Sequence, residues 1–407
     1  VEPIREKSTT MIGFVVMMLA SAARGDDAFQ AYQRKFAKRY ADAAETMLRR
    51  AMFETRLAEI EAHNLKKGAS YRKGVNALTD RTDAERAALL GRDRALAASF
   101  AADRLNSNTR TSGKEPTRTD SAHKASAPRN EKPASMDWRE MDVISPVKNQ
   151  GSCGSCWAHA ATESIETYVA MATNAPPPVL SVQQVVSCAA NEYSCGGTGG
   201  CGGSIAELAF TYAQLYGLTS NASYPYEAVT GSCEMTSASK MAPVAAVKMA
   251  PVATVSGYEK LPENDLDAVL DALVEVGPLA VNVDASAWHD YEGGVFDACS
   301  AKNTSNLNHV VQLVGYGRDD DLGLNYWLVR NSWGTTYGED GYIRLLRPDD
   351  GAAAPCATDV TPLEGTGCLG GSATQYVCGE CGVLFDVSYP LGAQMMPAPV
   401  GGATATA

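Results

Sequence analysis

Two cysteines, Cys153 and Cys156, sit in a Gly- and Ser-rich segment, Gln150–Gly151–Ser152–Cys153–Gly154–Ser155–Cys156–Trp157–Ala158, that runs straight into an apolar stretch. From Ala158 to Ala172 apolar residues recur every third or fourth position without Gly or Pro, which predicts a helix. Cys156 then falls at or just before its first turn, where unpaired N–H groups and the positive dipole end favour an anion. A cysteine there tends toward the nucleophilic thiolate. A Cys-x-x-Cys pair can equally be a redox dithiol, half of a zinc site, or two unrelated disulfide cysteines.

A thiolate nucleophile needs a base, and the base needs an orienting acceptor. Of five histidines, His63 and His123 precede the cysteine-rich region, and His289 lies in a polar loop. His159 would have to turn back along its own helix, so packing is the better reading. His309 immediately precedes an apolar run, Val310–Tyr316, and Asn331 follows 22 residues later in Arg330–Asn331–Ser332–Trp333–Gly334. That gives a base at an element end with an amide partner on a neighbouring strand.

The elements that must hold these groups can be read from the same chain. With 407 residues, two or three domains are expected. A net charge of −12 argues against nucleic acid as a partner. Eleven cysteines is an odd count, which in an oxidising compartment leaves one thiol over. Residues 11–23, MIGFVVMMLASAA, follow Arg5 and Lys7 and end in small residues, the pattern of a secretory signal ending near residue 24. The run is short of the roughly 20 residues of a membrane span, so a signal anchor is the lesser reading and no stable membrane association is expected. Residues 25–100 are charged, Ala-rich and helix-prone; 101–134 read as a polar linker open to proteolysis.

From residue 135 to 392 the chain reads as one globular unit, followed by a flexible tail, 393–407. Helices are expected after Cys156, at Ser204–Gln214 and at Asp265–Val276. Strands are expected at Leu279–Val283, Val310–Tyr316, Asn325–Arg330 and Gly341–Leu346. A helical half followed by a strand half predicts an α+β fold of two lobes with a cleft between them. Lys240–Val255 holds a tandem near-copy, MAPVAAVK then MAPVATVS, read as an inert surface insertion; Pro348–Tyr376 is a second, Gly/Ala/Pro-rich insertion carrying Cys356 and Cys368. Asn221–Ala222–Ser223 and Asn303–Thr304–Ser305 are glycosylation sequons.

These segments together resemble the papain family of cysteine proteases. QGSCGSCWA is similar to the nucleophile segment, LNHVVQLVGYG to the histidine segment and YWLVRNSWGTTYGEDGYIR to the asparagine segment, in the family's order. His309 and Asn331 lie 309 − 156 = 153 and 331 − 156 = 175 residues after Cys156. The usual distance is about 130–150, and the visible inserts account for the excess. Glu45, Arg49, Met52, Phe53, Arg56, Ile60 and Asn64 are spaced like the propeptide helix of the cathepsin L-like branch, with Arg56 where Asn is usual. Gly74-x-Asn76-x-Leu78-x-Asp80 resembles that branch's second propeptide motif, with Leu for Phe.

The resemblance implies a two-lobed papain-like fold, a helical left lobe and a barrel-like right lobe, preceded by an inhibitory prodomain. It implies a thiol endopeptidase made as a zymogen in the secretory pathway, bound for a lysosome, a vacuole or the exterior. Cys156 would be the nucleophile, His309 its base and acid, and Asn331 the residue that orients His309. Gln150 would form the oxyanion hole with the Cys156 N–H, and Trp333 would shield the Asn331–His309 bond. Gly202 and Gly203 would bind substrate backbone; Ile205, Ala206, Leu307 and Val310 would line an apolar pocket for the second residue before the scissile bond. Asp386 would stand at that pocket's floor, admitting basic side chains there, or else turn to solvent.

The implied bridges are Cys153–Cys201, Cys188–Cys233 and Cys299–Cys381. Cys195, Cys356, Cys368 and Cys378 are left with three possible pairings, or with Cys378 and Cys381 in a less favoured zinc site. No metal or cofactor is expected. The partners are peptide and protein substrates and the chain's own prodomain, with the protein a monomer. The rivals are a catalytically silent secreted binding protein on this fold and an exopeptidase or transpeptidase with the same triad.

Overall fold

The computed structural model describes residues 27–91, 132–235, 249–299, 305–349 and 351–397. The expected signal segment, most of the linker, Asn303 and the first copy of the tandem repeat lie outside them. Among the described residues no helix is long and apolar enough to cross a membrane.

The N-terminal region is built on a 22-residue helix, Ala43–Asn64, whose start is capped by the Asp42 carboxylate accepting from the Glu45 N–H. Phe53 packs on Phe29 and Tyr32 in a small core of its own. The polar positions singled out in the sequence tie this helix to the turn after it. Arg49 pairs with Glu85; Asp80 accepts from Tyr32, Lys38 and Tyr40 at 2.7–2.8 Å. Arg56, at the position where Asn is usual, donates to the Thr79 carbonyl at 2.9 Å and pairs with Asp83 at 2.8 Å. A guanidinium has enough donors to gather several acceptors of one turn, so the substitution keeps the turn closed. Asn64 clamps Lys73 through both its N–H and its carbonyl.

The second half of the chain forms two lobes. The left lobe is helical: Cys156–Thr173, Val182–Cys188 and Ala206–Tyr216 pack around Ile165, Val185 and Phe210. The right lobe is a curled sheet in which His309–Asp319 is the long central strand, paired antiparallel with Leu279–Val283 on one side and Leu324–Arg330 on the other. Its core includes Trp288, Trp327 and Leu313, with the helix Leu266–Glu275 packed against it. The expected helices and strands are all present, with ends matching or shifted by at most three residues.

The long helix Cys156–Thr173 lies between the lobes, buried along most of its length, so its charges need partners. Glu163 faces Arg330 at 3.2 Å and Glu166 faces Lys148 at 2.5 Å. Five disulfides form: the three pairs implied above, plus Cys195–Cys368 and Cys356–Cys378. Cys156 is the free cysteine among those described.

Two boundaries and one reading differ from expectation. Lys132 pairs with Asp267 and Asp271, and the Pro133 carbonyl accepts from Tyr316, so the globular unit begins before residue 135. Its far end passes 392, because Gln394–Met395 pairs with Ala253–Thr254. The same pairing removes the second repeat copy from the class of inert surface insertions: Ala253 is fully buried.

Candidate active site

Cys156 is the first residue of its helix, as the periodicity predicts. His309 opens the central right-lobe strand and Asn331 follows the adjacent strand, so the register of that pair brings them together. The His309 Nε2–H donates to Asn331 Oδ1 at 2.8 Å, which leaves the buried Nδ1 without a hydrogen-bond partner. Both Cys156 and His309 line one small cavity between the lobes. The indole of Trp333 lies 5.1 Å from the His309 ring and is buried over it. His159, by contrast, is buried edge-on to Tyr226, with Nδ1 at 3.0 Å from the Ser155 carbonyl, which confirms it as a packing residue.

The N-terminal region fills this site. Its strand Tyr71–Lys73 extends the right-lobe sheet along Tyr291–Phe296. Gly294 makes that pairing possible, since its φ is +92° and a Cβ there would lie 2.5 Å from the Ser70 carbonyl. Arg86 and Asp290 form a buried two-pronged ion pair at 2.6 and 3.1 Å. The His289 Nε2–H donates to the Arg86 carbonyl at 3.1 Å while its ring stacks on Trp333 at 5.0 Å.

The chain then passes directly over the thiol. Gly91 lies between Gly154 and Gly203, so close that a Cβ on Gly203 would stand 2.1 Å from the Gly91 carbonyl oxygen. The Gln150 side-chain amide donates to the Leu89 carbonyl at 2.7 Å and to the Cys153 carbonyl at 2.8 Å; its own oxygen accepts from Ser332 at 2.6 Å. Gln150 thus holds a carbonyl of the propeptide.

This cover changes the electrostatics. A cysteine at a helix start is expected to be a thiolate, yet burial pushes the Cys156 thiol up to about 11, against opposing backbone hydrogen bonds from Val310 and Trp157. Burial also pushes His309 down to about 4, opposed by its bond to Asn331. Desolvation works against the charged form of both groups and against the helix terminus.

The substrate-contact residues are only partly gathered. Gly203 and Val310 line the cavity with Leu90, Gly91, Gly196, Ser204, Asn282, Asn308, Glu364 and Gly365. Gly202, Ile205 and Ala206 are not among its lining residues, and Leu307 is buried with Val377 and Phe385 beneath the 348–376 insertion. Asp386 neither turns to solvent nor presents a bare charge: it is buried, paired with Lys260 at 2.5 Å and bonded by Asn282 at 2.8 Å. Glu207 lies on the other side of Lys260 at 3.5 Å, and burial raises its carboxyl to about 7 with help from Asp386. His289, Asn282, Glu364 and Gly365 were not foreseen. Two cysteines in the insertion signalled that it is tethered, but not where it lies.

Among the described residues the one cluster with a metal-ligand composition is Cys299, Glu380 and Cys381. Its two sulfurs are joined in a disulfide, so they offer no thiolates.

Comparison with known proteins agrees with the geometry. Residues 132–362 match the Papain family cysteine protease profile, and residues 29–85 match the Cathepsin propeptide inhibitor domain (I29). The chain belongs to the papain family of cysteine proteases. It is 34% identical over 328 residues to cathepsin S of Bos taurus, covering 79% of this chain and 88% of that one. It is 32% identical over 338 residues to a cathepsin L-like proteinase of Phaedon cochleariae, covering 82% and 93%. Among solved structures, the digestive procathepsin L 3 of Tenebrio molitor larval midgut aligns with a TM-score of 0.66 at 28% identity, over 90% of this chain and 99% of that one. The papain-family chain described here is a cysteine endopeptidase in zymogen form, with its propeptide in the cleft.

Proposed function

We propose that Cys156 attacks the substrate carbonyl after His309 takes its proton. His309 then protonates the leaving amine, and water hydrolyses the acyl-enzyme by the reverse proton route. Asn331 holds the imidazole so that Nδ1 faces the thiol. Gln150 and the Cys156 N–H stabilise the oxyanion. The observation that carries this reading is the Gln150 amide on the Leu89 carbonyl: the donor read as stabilising the oxyanion already holds a peptide carbonyl of the propeptide.

The propeptide escapes cleavage through its direction. Gly202 and Gly203 are read as the backbone-binding side for residues preceding the scissile bond. In the propeptide the residue beside Gly203 is Gly91, which follows Leu89 in sequence, so the chain runs opposite to a substrate.

At the second substrate residue we expect an apolar preference, with Val310 narrowing the pocket. A basic side chain reaching Asp386 has to displace Lys260 from it. A Lys260→Met variant is expected to raise the ratio of Arg to Leu cleavage at that position. An unchanged ratio removes Asp386 from specificity.

We also propose that processing falls between Arg129 and Ser135, that the mature enzyme is a monomer of the secretory pathway or lysosome, and that Asn221 is glycosylated. The experiment for the central reading is covalent labelling by an epoxysuccinyl probe after acid processing. Cys156 should be labelled with concurrent loss of peptide cleavage. Absence of label in processed, folded protein would establish the silent binding-protein rival instead.

A further inference from the structure

The 348–376 insertion leaves the right lobe, reaches the left lobe and returns. Its base is a hairpin, Cys356–Asp359 with Gln375–Cys378, closed by Cys356–Cys378. The hairpin is fixed to the right-lobe segment ahead of His309. The Asp359 carboxylate accepts from the Leu307 N–H at 3.2 Å, the Thr358 carbonyl accepts from the Ser305 N–H at 3.2 Å, and the Val360 N–H donates to the Asn306 side chain at 3.1 Å. The tip is fixed to the left lobe. Cys368 is bonded to Cys195, the Gly196 N–H donates to the Gly367 carbonyl at 2.9 Å, and the Leu369 N–H donates to the Tyr193 carbonyl at 2.8 Å.

Between these anchors the chain runs through a short 3-10 turn, Pro362–Glu364, to Gly365. Gly365 is wedged between the lobes. A Cβ on it would lie 2.2 Å from the Leu307 carbonyl oxygen on the right, and a Cβ on Gly196 would lie 2.3 Å from the Gly365 carbonyl oxygen on the left. That Gly196 Cβ would also stand 2.9 Å from the Ile205 side chain and 3.1 Å from the Ser204 carbonyl oxygen. A peptide strand laid between two others needs about 4.8 Å on each side. Backbones in contact leave no such gap, so no peptide passes between Leu307 and Gly365 or between Gly365 and Gly196. Gly365 also lines the cavity of Cys156, His309 and Gly203, so the strap stands in the opening that holds the thiol.

Leu307 and Ile205 are read as lining the pocket for the second residue before the scissile bond, one from each lobe. The strap joins those two walls. An extended substrate rises about 3.3 Å per residue, so its third residue meets the strap.

We propose that this disulfide-anchored strap is a crossbar that ends the cleft just beyond the second residue before the scissile bond. The enzyme takes an extended substrate with two residues ahead of the bond, and a longer chain has to turn out of the cleft there. The favoured substrates are short peptides and the amino ends of longer ones. The proposal rests on the reading that Gly203 marks the side preceding the bond.

The test uses the processed enzyme with active sites counted by the epoxysuccinyl label. Peptides share leucine as the second residue, the same residues after the bond, and a formyl cap as a small uncharged end. They carry two, three or four residues before the bond. Lengthening from two to three should lower kcat/KM about tenfold, a loss of about 1.4 kcal/mol in transition-state binding, and the fourth residue should restore nothing. A long unstructured peptide should be cut first two residues from its amino end. The loss should vanish when residues 360–374 are replaced by a two-residue Asn-Gly turn that keeps the hairpin, with Cys195→Ser in the same chain. It should shrink in the Cys195→Ser/Cys368→Ser double variant, which frees only the tip. A kcat/KM that holds or rises with the third and fourth residues in the wild type overturns the crossbar, as does a loss that survives in either variant that labels. If neither variant labels, the wild-type series and the first cut in the long peptide decide. A loss confined to lengthening after the bond overturns the reading of Gly203 and the proposal with it. Failure of the wild-type enzyme to label overturns the protease reading itself, so the failures are distinguishable.

Discussion

At the scale of single residues, Cys153 and Cys156 have different fates. Cys153 is spent on Cys201 and braces the loop, while Cys156 stays free at the helix start. Cys156→Ser should abolish peptide cleavage and leave the fold intact by circular dichroism, whereas Cys153→Ser should lower thermal stability and yield, as removal of a native bridge costs about 2–5 kcal/mol. Gln150→Ala should reduce kcat by roughly 10²–10³, the usual loss for one oxyanion donor, with Cys156 still open to alkylation. The placement of Cys156, His309, Asn331 and Gln150 was legible because each sits in a motif whose spacing fixes its element. Lys260 beside Asp386 was not: 126 residues separate them (386 − 260), and only the pairing of Gly257–Lys260 with Val387–Leu391 brings them together. No local pattern reports a register of that kind.

At the scale of elements, the propeptide is held by a strand, an ion pair and a turn. Arg86→Ala would leave Asp290 buried without its charge partner, a loss of about 3–5 kcal/mol. Self-processing at pH 7 should accelerate in that variant, measured as the rate of loss of the full-length band. His289 is one group through which acid is expected to act. Burial pushes its pKa down to about 4, with Arg86 adding to the shift and Asp290 opposing it. Between the free value of about 6.5 and this one, the released state binds more protons than the closed state. The closed state therefore loses stability as pH falls through that window. His289→Gln should flatten the pH dependence of propeptide release between about 6.5 and 4, read by the onset of peptide cleavage; an unchanged profile assigns the acid step to other groups. Glu85 does not contribute there. Its bond to Arg49 holds it at about 2, so its stabilisation persists above the free carboxyl value and disappears only as pH drops toward 2. The helices and strands of both lobes were readable from periodicity and caps. The loop Asp284–Glu292 read only as polar, because the partner that gives it meaning lies some 200 residues away.

At the scale of the whole molecule, the insertion and the propeptide meet over one cavity, and the lobes are joined covalently by Cys195–Cys368. A two-lobed α+β unit behind a helical N-terminal region was legible. The strap was not, because a Gly/Ala/Pro-rich segment carries no period and its position depends on which cysteines it finds.

The covered thiol has a consequence for chemical endurance. With its pKa raised to about 11, roughly one Cys156 in ten thousand would be ionised at pH 7, and the residue is only 3% exposed. Oxidation to sulfenic and sulfinic acid proceeds from an accessible thiolate. The propeptide is therefore expected to act as a preservative as well as a plug, with the zymogen outlasting peroxide exposure that inactivates the processed enzyme. Equal doses of peroxide given before and after processing, followed by a count of labelled active sites, should show the difference directly.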